Sequence, residues 1–188
     1  FRSRSIRAVF DHSLRLLSDG DRQTFLKLAA FQGGFTREAA QEIAGTSVAH
    51  LAAFSGKSLL QYDPVSRRYR LHALLRQYAG EILAAERLSE TTLQTHMRFY
   101  GGLLQHFQRG LQGPEQTRAL DRILADFQNI RAAWHWAVQS GQSGWITQAL
   151  EPVYWFCIMR DRIPDGQVLI QDAQKRFKDL EEAEPASR

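Results

Sequence analysis

The sequence predicts a mainly α fold in two parts: a winged helix carrying a small β-hairpin, then antiparallel helical repeats that begin an α-solenoid. Three observations carry this. Apolar residues recur at helical spacing over most of the 188 residues. One short stretch, Leu59–Leu71, alternates instead and contains the turn signal Asp63-Pro64. A polar break at Glu86-Arg-Leu-Ser-Glu90 then separates 1–88 from 89–188.

In chain order, Ile6, Val9, Phe10, Leu14 and Leu17 predict a first amphipathic helix ending near Ser18-Asp-Gly-Asp21. Phe25, Leu26, Leu28, Ala29 and Phe31 predict a second, stopped by Gly33-Gly34. Thr36 is placed to cap a third helix that Gly45 ends, and Ser47 opens a fourth running to Gly56. The alternating stretch reads as two short strands. Leu71, Leu74, Leu75, Tyr78, Ile82 and Leu83 form the stripe of a closing helix over about 72–87. His72 stands where strand passes to helix, among unpaired backbone N–H groups. It is expected either to meet an anion or simply to cap the helix.

The second part opens with a long helix over about 90–111, weakened at Gly101-Gly102. Gly113-Pro114 is a break, with Pro114 read as a first-turn residue. Periodicity from Leu120 to Ala137 follows, and Asp126 is expected to cap a fresh helix within it. Trp145–Met159 is apolar nearly all round, as in a helix sandwiched between neighbours, and Pro152 is expected to kink it or mark a new start. A weaker helix over 165–180 carries Val168, Leu169, Ala173, Phe177 and Leu180, and is expected to leave an apolar face uncovered. The tail 181–188 is expected to fray. Most of the aromatics Trp134, Trp136, Trp145, Tyr154, Trp155 and Phe156 are assigned to core between helices.

Several of these segments resemble one family. Leu71-His72-Ala73 with Leu74-Leu75-Arg76-Gln77-Tyr78-Ala79 is similar to the "MHD-LLR-x-YA" segment of STAND-class (AP-ATPase/NB-ARC-like) signalling NTPases, with Leu71 in place of Met and Ala73 in place of Asp. Ser5–Leu17, Phe31–Ala40 (the "F-x-GGF-T-x-E-A-A" turn) and Lys57–Leu60 resemble the same family in the same order, over residues 5–85. Phe127–Ala137 resembles the "x-N-L-R-A-A-L-x-W-A" segment that opens the tetratricopeptide-like region of its bacterial regulators. The resemblance implies that the winged helix packs on an upstream nucleotide-binding domain of the same chain. His72 would reach the β-phosphate of ADP there and help hold the resting state, while the helical repeats receive an inducer or protein partner. ADP or ATP with Mg would then be the cofactors of the parent protein, and none belongs to this segment alone.

Composition sets bounds on function. The net charge of +4 resides in the first half, which has 13 Lys+Arg against 9 Asp+Glu in residues 1–90 and 11 against 11 in 91–188. Arg2, Arg4 and Arg7 form one cluster; Arg67, Arg68, Arg70 and Arg76 form another, suited to phosphate or an acidic partner domain. Cys157 is the only cysteine, which excludes an internal disulfide and fits a cytoplasmic setting. No run approaches the roughly 20 apolar residues that span a bilayer. The opening at Phe1, close to a helical pattern, is expected of a piece of something longer.

No G-x-x-x-x-G-K-[ST] loop and no Mg-binding acid at a strand end occurs, so the segment is not expected to be an enzyme. DNA binding is the rival reading. The helix that would enter the groove, Ser47–Ser55, has no Arg, Asn or Gln to read base edges, so sequence-specific binding is not expected. A plain interaction scaffold without nucleotide sensing is the third alternative.

Overall fold

The computed structural model describes residues 2–183 of the chain, and the side chains of 7 and 9–179. The expectations for the side chains of Arg2, Arg4, Ile6 and Leu180, and for the tail beyond residue 183, lie outside these. The fold is mainly α with one small two-stranded antiparallel sheet. It divides into two compact units, Phe1–His96 and Met97–Arg188, and the division falls inside a helix.

In the first unit, α1 (Arg2–Arg15) is followed by α2 (Asp19–Lys27), which passes into a short 3-10 turn at Leu28–Ala30. The second helix therefore stops before Phe31, earlier than its apolar run suggests. Leu28, Ala29, Ala30 and Phe31 are all buried, so this segment tightens to fit the core. α3 (Arg37–Ala44) is capped by Thr36, whose side chain accepts from the Ala39 N–H, and ends at Gly45 in the left-handed conformation, φ 71°. α4 (Val48–Gly56) is capped by Ser47. β1 (Gln61–Asp63) and β2 (Arg68–Arg70) pair with Tyr62 opposite Tyr69, and α5 (Ala73–Ala85) closes the set. Phe25, Leu26, Phe31, Phe35, Leu51, Phe54, Leu75 and Ala79 meet in one core. Phe25 lies edge-on to Phe54 at 5.2 Å, and Phe31 stacks on Phe35 at 4.2 Å.

α6 (Ser89–Leu111) begins in this unit, where His96 is buried beside Phe31, and continues into the second. There α7 (Gln116–Gln139), α8 (Ser143–Met159) and α9 (Ile163–Ala183) pack on one another. α7 is continuous. Asp126 does not start a helix but is buried in mid-helix, 3.2 Å from the Arg122 guanidinium one turn earlier. Pro114 lies before the helix, in the turn, and not in its first turn. α8 likewise runs through Pro152, whose ring joins the buried face.

The Trp134 indole is 1% exposed and donates to the Leu169 carbonyl at 2.9 Å, tying α7 to α9. Phe156 is buried against Phe127. Trp136, Trp145 and Trp155 are half-buried and Tyr154 is exposed. α8 is thus not covered all round within the described residues. Leu150, Tyr154 and Ile158, spaced four apart, are 41%, 49% and 42% exposed. With Ile163 and Ile170 of α9 they line an apolar groove of about 260 Å³. On α9, Leu169 is buried, Phe177 half-buried and Val168 exposed.

Candidate functional site

The basic residues of the first unit gather where three segments meet: the Gln32–Phe35 turn, the hairpin and the start of α5. Phe35 and Tyr69 exchange backbone hydrogen bonds at 2.9 and 2.8 Å, which lays the turn beside β2 as a third strand-like partner. Arg68 donates to the Gly34 carbonyl and Arg76 to the Gln32 carbonyl at 3.3 Å. A Cβ at Gly34 would stand 3.2 Å from the Arg68 Nε, so the guanidinium lies directly on the glycine backbone. Both arginines are half-buried, and both position the turn.

Arg67 and Arg70 differ. Both are exposed, Arg67 at the hairpin turn with φ 53° and Arg70 on β2 opposite Gln61. The turn itself is fastened by Asp63, which accepts from the Val65 N–H at 3.0 Å and from the Ser66 hydroxyl. These bonds hold the Asp63 carboxyl below its ordinary range, the Ser66 hydroxyl contributing most. Burial, and then the neighbouring Tyr62, push the Tyr69 phenol up. Neither tyrosine nor the Asp63 turn stood out in the sequence as part of a site. The "T-x-E-A-A" turn and the alternation were the available signals.

His72 is exposed at the N-terminus of α5, and its Nδ1 accepts the Leu74 N–H at 3.3 Å. The helix-cap role is therefore real. It also fixes the tautomer: a neutral imidazole accepting at Nδ1 carries its proton on Nε2. Capping and donation to an anion are compatible in one ring.

Of the other cluster, Arg7 pairs with Glu81 at 3.0 Å and lies 5.9 Å from the Tyr78 ring centre. Tyr78 in turn donates to Asp11, and burial first, then Asp11, raises its phenol above the ordinary value. Arg7 thus helps to seat α1 on α5.

α4 presents a different surface. Val48, Ala49, Ala52 and Ala53 are exposed, whereas Leu51 and Phe54 are buried. Its one large polar side chain is turned to structure. His50 Nδ1 accepts the Ser47 N–H at 3.1 Å, completing a reciprocal cap, and its Nε2 lies 3.2 Å from the Asp21 carboxylate. Lys57 follows at the helix end. The exposed side of α4 is built of methyl groups, which contact apolar surface but read no donor or acceptor pattern.

Among the described residues no group of three or more His, Cys, Asp or Glu side chains gathers to hold a metal ion. No helix among them is long and apolar enough to cross a membrane.

No family model matches the chain, and no solved structure matches it. Three curated proteins do. "Putative HTH-type transcriptional regulator Mb0914c" of Mycobacterium bovis is 30% identical over 159 residues, which is 80% of this chain and 18% of that protein. Two proteins of the same description from Mycobacterium tuberculosis strains match to the same extent. The chain thus spans about a fifth of the length of the relatives it matches.

Proposed function

We propose that this chain is a regulatory segment of a transcriptional regulator, and that its first unit is a winged helix binding phosphate along the edge formed by β2, the Gly33-Gly34 turn and the start of α5. The regulator role rests on the mycobacterial relatives. The winged-helix reading is supported by the order of three helices, hairpin and closing helix, with Phe35 bridged to Tyr69. The second unit reads as the opening of an α-solenoid, since α7, α8 and α9 each pack on the other two.

The observation that carries the phosphate reading is the exposed His72 ring, capped at Nδ1 and so a donor at Nε2, at a helix N-terminus. The phosphate is the β-phosphate of ADP, held by a nucleotide-binding part of a longer STAND-type protein, where His72 helps hold the resting state. The phosphate loop, the Mg-binding acid and any hydrolysis belong to that part, so this segment is not itself an enzyme. The helical repeats take an inducer or protein partner, and the protein works in the cytoplasm.

A second reading is direct DNA binding, and the description of the relatives as HTH-type regulators favours it. Arg67 and Arg70 would then lie on the duplex backbone, which positions a protein without specifying sequence. The methyl-lined surface of α4 weighs against base reading.

The test replaces His72 in the longer protein by Asp and by Ala. Asp keeps a cap acceptor but repels phosphate, whereas Ala loses both roles. We expect both variants to release ADP faster, with a loss of about 1.5–3 kcal/mol for a charge-assisted bond. Normal ADP retention in His72→Asp, with only the Ala variant destabilised, would reduce His72 to a cap.

A further inference from the structure

A second cleft lies within the unit Met97–Arg188, between α6 and α8, and encloses about 210 Å³. Arg98, Gly102 and Gln105 of α6 face Trp145 and Gln148 of α8 across it. The two glycines at its base differ. Gly101 is required by packing: a Cβ there would stand 2.3 Å from Trp145 Nε1, which donates to the Met97 carbonyl at 3.0 Å. At Gly102 a Cβ would meet nothing within 4 Å. A helix-interior glycine lowers stability relative to alanine. Here it gives no packing in return and leaves the helix backbone open at the cleft.

The groups around that opening are rich in donors. The Arg98 guanidinium is exposed and, among the described residues, has neither an acidic partner nor a hydrogen bond. Gln105 Nε2 donates to Gln148 Oε1 at 2.8 Å, which leaves the Gln148 amide N–H groups and the second Gln105 N–H for a ligand. The Trp145 indole, its N–H already engaged, supplies an apolar wall.

We propose that this cleft binds a small carboxylate on a short apolar stem, paired two-pronged with Arg98, met by the glutamine amides and flanked by Trp145. A guanidinium fork matches a carboxylate in shape and charge. The volume lies below that of sites for drug-sized ligands, so the group is a small organic acid or a single acidic side chain. The site is independent of the reading of the first unit, and neither test decides the other.

The test follows the indole N–H signals of the 188-residue chain by NMR during titration with sodium glutarate and, separately, with the peptide acetyl-Gly-Glu-Gly-amide. Sodium chloride at matched ionic strength is the control, and Trp145→Phe assigns the signal. We expect a saturable shift of the Trp145 resonance, at least tenfold weaker in Arg98→Gln and absent in Gly102→Leu, which fills the opening while circular dichroism stays unchanged. Saturation by glutarate alone assigns the site to a free acid; saturation by the peptide assigns it to an acidic side chain. No saturation beyond chloride by either probe, or an affinity unchanged by Arg98→Gln, overturns the proposal.

Discussion

The two units hold their helices by different means. In the first, α2, α3, α4 and α5 each begin with a side chain that accepts a backbone N–H, from Ser18, Thr36, Ser47 and His72 in turn. These helices have only 9, 8, 9 and 13 residues. Helices so short are marginal alone, because nucleation fixes several residues for each bond gained. In the second unit α7 and α8 have 24 and 17 residues, and neither has a side-chain cap. They are held along their flanks by Trp134, Phe127 and Phe156, and by indole bonds to the Leu169 and Met97 carbonyls. Terminal chemistry secures short helices, and lateral packing secures long ones.

The largest effect is expected at Trp134. Trp134→Ala removes a fully buried indole together with its bond to the Leu169 carbonyl, so a loss of about 3–5 kcal/mol is expected. All four tryptophans lie in the second unit, so fluorescence during urea unfolding follows that unit alone. A loss below about 1 kcal/mol would show that lateral packing there is not centred on this side chain.

Next in size is an alkaline effect at Cys157. Burial pushes its thiol from 9.0 up to about 11. A raised thiol contributes its full stability below pH 9 and loses it as pH climbs towards 11, by at most about 2–3 kcal/mol. Alkylation of the native protein should therefore be slow at pH 8 and accelerate above pH 9. Ready alkylation at pH 8 would mean that the packing of α8 on α9 opens easily at this point.

The smallest effect sharpens the contrast itself. Thr36→Ala should cost about 1 kcal/mol, read as faster amide hydrogen exchange in α3. Glu115→Ala, at the corresponding position of α7, should stay within about 0.5 kcal/mol because its side chain makes no cap bond. Equal costs at the two positions would dissolve the distinction.

The same contrast explains what was legible in the sequence. Thr36, Gly45 and Ser47 mark helix ends by local chemistry, and the structure places caps or stops at all three. The hairpin was readable from alternation and Asp63-Pro64. Continuity was harder to read. Asp126 resembles a cap because Asp favours helix starts, yet pairing with Arg122 lets it stay inside α7. The Leu28–Phe31 run has helical spacing, and only burial on every side explains its tightening into a 3-10 turn. The exposed Leu150, Tyr154 and Ile158 were hidden because composition counts apolar residues without saying which neighbours cover them.

At the candidate site, His72 and the four arginines were visible as residue types, but their division of labour was not. Arg68 and Arg76 reach carbonyls 34 and 44 residues away in sequence, contacts that no local pattern encodes. Arg67 and Arg70 remain the outward-facing pair.

Titration of the 188-residue chain with labelled DNA duplexes of differing sequence, across a salt series, separates docking from reading most directly. Weak binding is expected, equal across sequences, that collapses as salt rises and weakens further in Arg67→Gln and Arg70→Gln. Binding that persists at physiological salt and discriminates between sequences would contradict it, and would make α4 a reading helix despite its methyl-lined face.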